Sequence, residues 1–430
     1  MARFHEGRPC KIVRALYGLR SSGKAFHDYL SMHLRQLGFK SSRADPDVWM
    51  RPGLKASGEV YWQYVISYVD DICGAMEKPE DFMKALGERV TLKEGSVKEP
   101  DLYLGADVKK YYIEGSDDPE KPRWAMSSTS YVKRAIADVE TELVKIDKRL
   151  PTKVNTPLSS GYRPELDSTP ELNAERQNYY QGLVGVLRWI CELGRLDILM
   201  PISLMSRYLA SAREGHLDQL FHVFAYLKTH DRSTMVFDDS CPTFGDTKFS
   251  QCDWTELYPD ACEPMPEHMP VPRGKSVVMS CFVDADHAGC RETRRSHSGI
   301  IIYVNRAPIL WFSKRQNTVE ASTYGSEMLA MRISIEMIEG LRYKLRMLGV
   351  PIDGGCNVFC DNNGVVLNTT VPESKLKKKH AAVNYHRVRE SIAAGTIRVA
   401  KEDTKTNLAD VFTKLLDGVT LRFLMLRLLW

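Results

Sequence analysis

The chain has 430 residues, too many for one ordinary hydrophobic core, so two or three domains are expected. Its 43% hydrophobic and 27% charged residues fit a globular protein, while a net charge of +4 neither demands nor excludes a nucleic-acid partner. The ten cysteines lack the short paired spacings of a zinc site and the density of a secreted disulfide scaffold, and no apolar run is long enough for a signal peptide or a membrane span. A soluble, reduced, intracellular protein with no membrane partner is the expectation.

In chain order, FHDYLSMHLRQLG (26–38) places Phe26, Tyr29, Leu30, Leu34 and Leu37 at helical spacing, with Gly38 as a stop. VYWQYVISYVDDICGAM then reads as two short strands with Asp70 and Asp71 at the hairpin tip. Residues 78–92 look helical, and DLYLGADVKKYYI (101–113) looks like a strand pair ending in a polar insertion. SSTSYVKRAIADVETEL opens with capping residues and continues as a helix, and a linker rich in Pro, Ser and Asn begins at Val154.

Two helical patterns between 176 and 230 predict a small helical module. The polar, Pro-rich stretch from Ser240 to Lys275 is longer than most structureless loops, so a boundary is set there. Its cysteines, Cys241, Cys252 and Cys262, are too widely spaced to suggest a metal knuckle. Beyond it come three successive strands, a long helix over about 319–348, the strand NVFCD, two helices, the strand TIRVAKE and a last helix near 407–415. The expected fold class is α/β multidomain, ending in a mixed five-stranded sheet flanked by helices.

Four carboxylates fall where separate elements would converge: Asp284 ends a strand, Glu327 lies early in the long helix, Asp361 ends another strand, and Asp410 opens the last helix. Sites in open α/β sheets form at the carboxyl ends of strands. An acid cluster there would repel itself without cations, and hard oxygen donors favour Mg²⁺ or Mn²⁺ and two-metal phosphodiester hydrolysis. Taken singly, each acid is equally explained as a turn residue, a solvated helix residue, an N-cap or a first-turn dipole partner. It is the combination that points to chemistry.

The C-terminal third resembles the ribonuclease H domain of copia-type LTR retrotransposon Pol polyproteins, through the ordered blocks FVDADHAG, SHSGIIIYVNRAPILWFSKRQNTVEAST, SEMLA, FCDNNG, KKHAAVNYHRVRE and LADVFTK. The resemblance implies metal-dependent cutting of the RNA strand of RNA/DNA hybrids, with Asp284, Glu327, Asp361 and Asp410 as metal-holding catalytic acids. The chain departs from the family pattern at Gly325, where a second glutamate is usual. KIVRALYGLRSSGKAFHDYLSMHLRQLGFKSSRADPDVW, SYVDD and YLGADV resemble the same polyprotein's reverse transcriptase, and GLVGVLRWI with RYLASAREGH its connection region.

The implied organisation is a partial reverse transcriptase palm and thumb over 1–153, a linker and helical connection over 154–239, an insertion over 240–275 and a ribonuclease H-like domain over 276–430. A polymerase of this family uses three aspartates for its metals, and only Asp70 and Asp71 are found here. With the fingers and first palm strand also unmatched, DNA synthesis by this chain alone is not expected. The rival readings are a non-catalytic nucleic-acid-binding remnant of a mobile element and a longer polyprotein that starts before Met1. The family setting implies cytoplasmic virus-like particles or the nucleus, with other parts of a Pol polyprotein as partners.

Candidate phosphate contacts are Lys377, Lys378, Lys379, His380 and Arg387 in the densest basic run, expected on a helix, and Arg294 with Arg295 in the turn after Asp284. Tyr303 and Trp311 read as core rather than as stacking platforms. His380 and His386 are not assigned to catalysis.

Overall fold

Alternating and β-branched runs become strands, and amphipathic runs become helices, in two compact units; the computed structural model describes residues 19, 21–114, 118–231, 234–377 and 379–429. The first unit spans Met1–Pro100, Pro266–Lys275 and Tyr343–Pro351. In it α1 (Ser22–Gln36) buries Leu30 and Leu34, and Gly38, at φ +84°, turns the chain into an antiparallel meander. Its strands are β1 (Lys40–Ser41), β2 (Val48–Leu54), β3 (Val60–Tyr68) and β4 (Asp71–Ala75), and α2 (Pro79–Gly87) follows with Pro79 opening its first turn. Leu30, Leu34, Phe39, Trp49, Val65, Phe82 and Leu86 form one core. Tyr68 pairs with Asp71 across a turn in which Val69 takes φ +56°, a conformation rare for a β-branched residue.

The second unit spans Asp101–Met265, Ser276–Arg342 and Ile352–Trp430. Its first sheet is antiparallel: β5 (Leu102–Tyr103), β6 (Ala106–Tyr111), β7 (Arg123–Ser127) and, arriving from far along the chain, β8 (Thr234–Phe237). Between β7 and β8 lie α3 (Thr129–Lys145), α4 (Ala174–Glu192), α5 (Leu199–Met205) and α6 (Glu214–Thr229). The second helical pattern expected from sequence is thus broken near Ala212, whose carbonyl accepts from Leu172 N while its own N–H donates to the Gln177 side chain. Those bonds replace the helical ladder there.

The second sheet is mixed, with strand order β11-β10-β9-β12-β13: β9 (Met279–Ala285), β10 (His297–Val304) and β11 (Ala307–Arg315) are antiparallel, while β12 (Cys356–Cys360) and β13 (Ile397–Lys401) add in parallel. Around it lie α7 (Thr323–Met347, its last turn in the first unit), α8 (Asn363–Thr370) and α9 (Ala382–Ala393). The helix expected over 407–415 is a short 3-10 turn, Leu408–Phe412, and α10 (Gly418–Met425) follows it. Lys375, Lys377 and the start of the turn Lys379–Ala381 precede α9 rather than lie on it, because no apolar period continues through the lysine run.

A single apolar core joins Val132 and Ile136 of α3, Leu183 and Leu187 of α4 and Phe224 of α6 to Ile301 of β10, Phe412 and Leu424. The helical stretch and the mixed sheet therefore share an interior, although their sequences read as separate segments. The 240–265 stretch has no helix or strand, yet Phe244 and Phe249 lie against Phe359 of β12, and Trp254 lies over the Arg389 guanidinium at 4.7 Å. No helix among the described residues is long and apolar enough to cross a membrane.

Candidate metal centre

Strand register places the first two acids. Cys360 of β12 is the parallel partner of Val283 in β9, so the next residues, Asp361 and Asp284, emerge side by side at the carboxyl ends of adjacent strands. On the other flank of β9, Asp284 is opposite Gly299 of β10. A Cβ at 299 would lie 2.6 Å from Thr413 Cγ2 and 2.7 Å from the Ala409 carbonyl oxygen. Glycine is needed there because the 408–413 turn presses directly onto the strand.

That turn delivers Asp410. Asn407 accepts from Ala409 N at 3.1 Å and donates to the Val283 carbonyl at 3.2 Å, pinning the turn to β9 while fully buried. Ser313 of β11 donates to the Phe412 carbonyl at 2.7 Å, and Thr413 donates to Asp284 Oδ2. Glu327 arrives from the start of α7, which Gln316 ties to β10 by donating to Ser326 O at 2.8 Å and Ser298 Oγ at 2.9 Å. Asn362 Nδ2 then donates to Glu327 Oε1 at 3.2 Å, and Cys360 Sγ to Oε2 at 3.5 Å.

The four acids expected from sequence are thereby gathered. Asp284, Asp361 and Asp410 each offer an oxygen within 4.8 Å of the others, and Glu327, Cys360 and Asp361 form a second such group, so Asp361 belongs to both. Burial raises the proton affinity of three of the acids: Glu327 is pushed up to about 8 by burial and then by Asp284 and Asp361, and Asp410 to about 7 by burial and then by Asp284. Asp361 is also held above the ordinary carboxylate range, by burial and by Asp284. Buried hard oxygens whose ionisation is disfavoured form a donor set that suits a divalent cation, because the cation supplies the missing opposite charge.

Sequence reasoning missed several members of this site. Lys414 Nζ lies 2.7 Å from Asp410 Oδ1 and 3.3 Å from Asp284 Oδ2. Burial opposes its charge, yet the two aspartates hold its proton affinity above the ordinary value. Asp286, pushed up to about 6 mainly by burial, accepts from His297 N and lines a cleft of about 260 Å³ with Arg163, Arg207, Arg295, Thr413 and Lys414. The block LADVFTK carried the signal for Lys414, but nothing local says where its ammonium points. At Gly325 a Cβ would lie 2.7 Å from Glu320 Oε2, the far end of a side chain able to turn aside.

The other expected positions are dispersed. Asp70 and Asp71 lie in the first unit, both exposed, and among the described residues neither belongs to a group of three potential metal ligands. Arg295 lines the cleft beside Lys414, and Arg294 is exposed at φ +56° in the preceding turn. Lys377, Lys379 and His380 are exposed, with His380 Nε2 3.9 Å from Glu320; Lys378 lies outside the described residues. Arg387 is engaged by Glu339 of α7 at 2.5 Å, and the neighbouring Arg389 is buried, donating to the carbonyls of Asn368, Val371 and Pro372. Tyr303 belongs to the core, and Trp311 is partly buried against that core.

No family model matches the chain. Among curated proteins, it is 24% identical to the retrovirus-related Pol polyprotein from transposon RE1 of Arabidopsis thaliana, over 94% of this chain and 24% of that one. It is also 24% identical to the corresponding protein from transposon RE2 of the same plant, over 95% of this chain and 24% of that one. Among solved structures, LC11-RNase H1 in complex with an RNA/DNA hybrid aligns at 14% identity and a TM-score of 0.26, over 31% of this chain and 93% of that one. The chain's curated homologues are Pol polyproteins of copia-type and Ty retrotransposons, and it spans about a quarter of the length of the first of them.

Proposed function

We propose that the mixed sheet of the second unit, with the elements around it over 276–430, is a metal-dependent ribonuclease H that hydrolyses the RNA strand of RNA/DNA hybrids, within a chain related to retrotransposon reverse transcriptase. The observation that carries this reading is the meeting of Asp284, Glu327, Asp361 and Asp410, each brought by a different element, at the carboxyl edge of the mixed sheet. Asp284, Asp361 and Asp410 would hold one Mg²⁺ or Mn²⁺, and Glu327 with Asp361 a second. Bound there, the ions would supply an activated water and a counter-charge for the leaving oxygen. The chain's own part is positional: Asn407 and Gly299 seat the turn that carries Asp410, and Asn362 orients Glu327.

Arg163, Arg207 and Arg295 in the adjoining cleft offer positive charge to the phosphates of a bound strand, and preference for RNA would rest on its 2′-hydroxyls. Asp70 and Asp71 do not extend the reading to DNA synthesis, since no third acid stands with them among the described residues.

The test is cleavage of a labelled hybrid by purified protein with Mg²⁺ or Mn²⁺, beside Asp361→Asn. Metal-dependent loss of the RNA strand alone, abolished in the variant, is expected. No cleavage by folded protein would leave a nucleic-acid-binding remnant as the better reading.

A further inference from the structure

Among the described residues two ammonium groups reach the four carboxylates: Lys401 Nζ donates only to the backbone carbonyl of Asp361, whereas Lys414 Nζ sits among the carboxylate oxygens themselves. Lys414 Nζ contacts Asp410 Oδ1 at 2.7 Å and Asp284 Oδ2 at 3.3 Å, oxygens of two of the three acids that stand close enough to share an ion. Its side chain remains 36% exposed and also lines the arginine-bearing cleft, so the ammonium has somewhere to go without passing through the core. Thr413 already donates to Asp284 Oδ2, so that oxygen cannot serve a hydroxyl, an ammonium and an incoming cation together.

We propose that Lys414 is the internal counter-ion of the acid cluster: it holds Asp284 and Asp410 together before a divalent cation binds, and withdraws into the cleft when one does. The proposal rests on the metal-centre reading above and adds to it a competition between lysine and metal. Two carboxylates brought together without compensation repel each other, and the lysine relieves that repulsion while the site is empty of metal. The same contact sets a threshold for the metal, which must displace a positive charge already in place. Once withdrawn, the ammonium joins Arg163, Arg207 and Arg295 as a cation facing the cleft.

The competition is measurable without turnover. Mn²⁺ binding to the full chain is followed by calorimetry, and melting is recorded with and without Mn²⁺, for the wild type, Lys414→Gln and Lys414→Arg. Lys414→Gln is expected to melt lower than wild type without metal, to bind Mn²⁺ about tenfold more tightly and to gain more from it, because a like charge has been removed from the ion's position. Lys414→Arg, which keeps the charge, is expected to bind much as wild type does. Should Lys414→Gln be unfolded without metal, refolding on addition of Mn²⁺ supports the proposal, and failure to refold overturns it. Unchanged or weaker binding by folded Lys414→Gln, with the wild type still binding, overturns the competition alone. Absence of binding in every protein overturns the metal centre and the proposal with it.

Discussion

Gly299→Ala tests how the site is assembled. The added methyl would stand 2.6 Å from Thr413 Cγ2, 2.7 Å from the Ala409 carbonyl oxygen and 2.9 Å from Phe412 Cβ. A threonine methyl can turn aside, but the carbonyl belongs to the 3-10 turn that Asn407 pins to β9. Overpacking of this kind costs about 1–3 kcal/mol. In a unit of this size that corresponds to a melting midpoint lower by roughly 2–5 °C. The larger effect falls on function, since the displaced turn carries Asp410, and a shift approaching 1 Å at a positioned catalytic group costs on the order of 100-fold in rate.

Scanning fluorimetry and hybrid cleavage measure the two effects separately. Gly340→Ala is the control, because nothing lies within 4 Å of the added methyl on an exposed face of α7. There alanine should stabilise the helix by up to about 1 kcal/mol and leave cleavage unchanged. A Gly299→Ala protein that melts and cleaves like wild type would refute the close approach of turn and strand.

Other outcomes follow from the same geometry. In EDTA, the folded protein should lose stability as pH rises from about 6.5 to 8, seen as a falling melting midpoint that Mn²⁺ suppresses. Glu327 and Asp410, pushed up to about 8 and about 7, keep protons in the folded state that the unfolded chain has already released, so the folded state binds more protons across this window. Below it, buried His297, lowered to about 3 chiefly by burial, acts in the opposite sense by favouring unfolding in acid, so a midpoint that rises between pH 6.5 and 8 counts against the raised carboxyls. Asn407→Ala removes the cap of the turn and leaves the Val283 carbonyl without that donor, at a cost of about 1–3 kcal/mol, with cleavage falling more steeply than stability. Trp254→Ala removes one of the two rings against the Arg389 guanidinium, the other being Tyr385, and limited proteolysis should then cut within 240–265 sooner than in wild type, while Mn²⁺ binding is unaffected.

Much of the candidate site was legible because its parts are local. The apolar runs VVMSCFVDAD and NVFCD and the helical period after Thr323 mark where Asp284, Asp361 and Glu327 fall on or beside their elements, and those elements form close to the expected residues. SYVDD likewise reads as a hairpin, and it is one. A two- or 3.6-residue period is carried by neighbours in sequence, which is why it survives without a structure.

What only the tertiary structure decided depends on residues far apart in the chain. The pairing of Cys360 with Val283 sets Asp361 beside Asp284, and a slip of one residue would have turned one of them to the opposite face. Gly299 in an apolar strand shows its purpose only when the 408–413 turn packs onto it, and Lys414 becomes part of the acid cluster only through that turn. The polar 240–265 stretch reads as a linker because its few aromatics have no period, yet they rest on Phe359 and Arg389. The single core shared by α3, α4, α6 and the mixed sheet is likewise invisible in pattern, since an apolar face declares that it will be buried and not what will bury it.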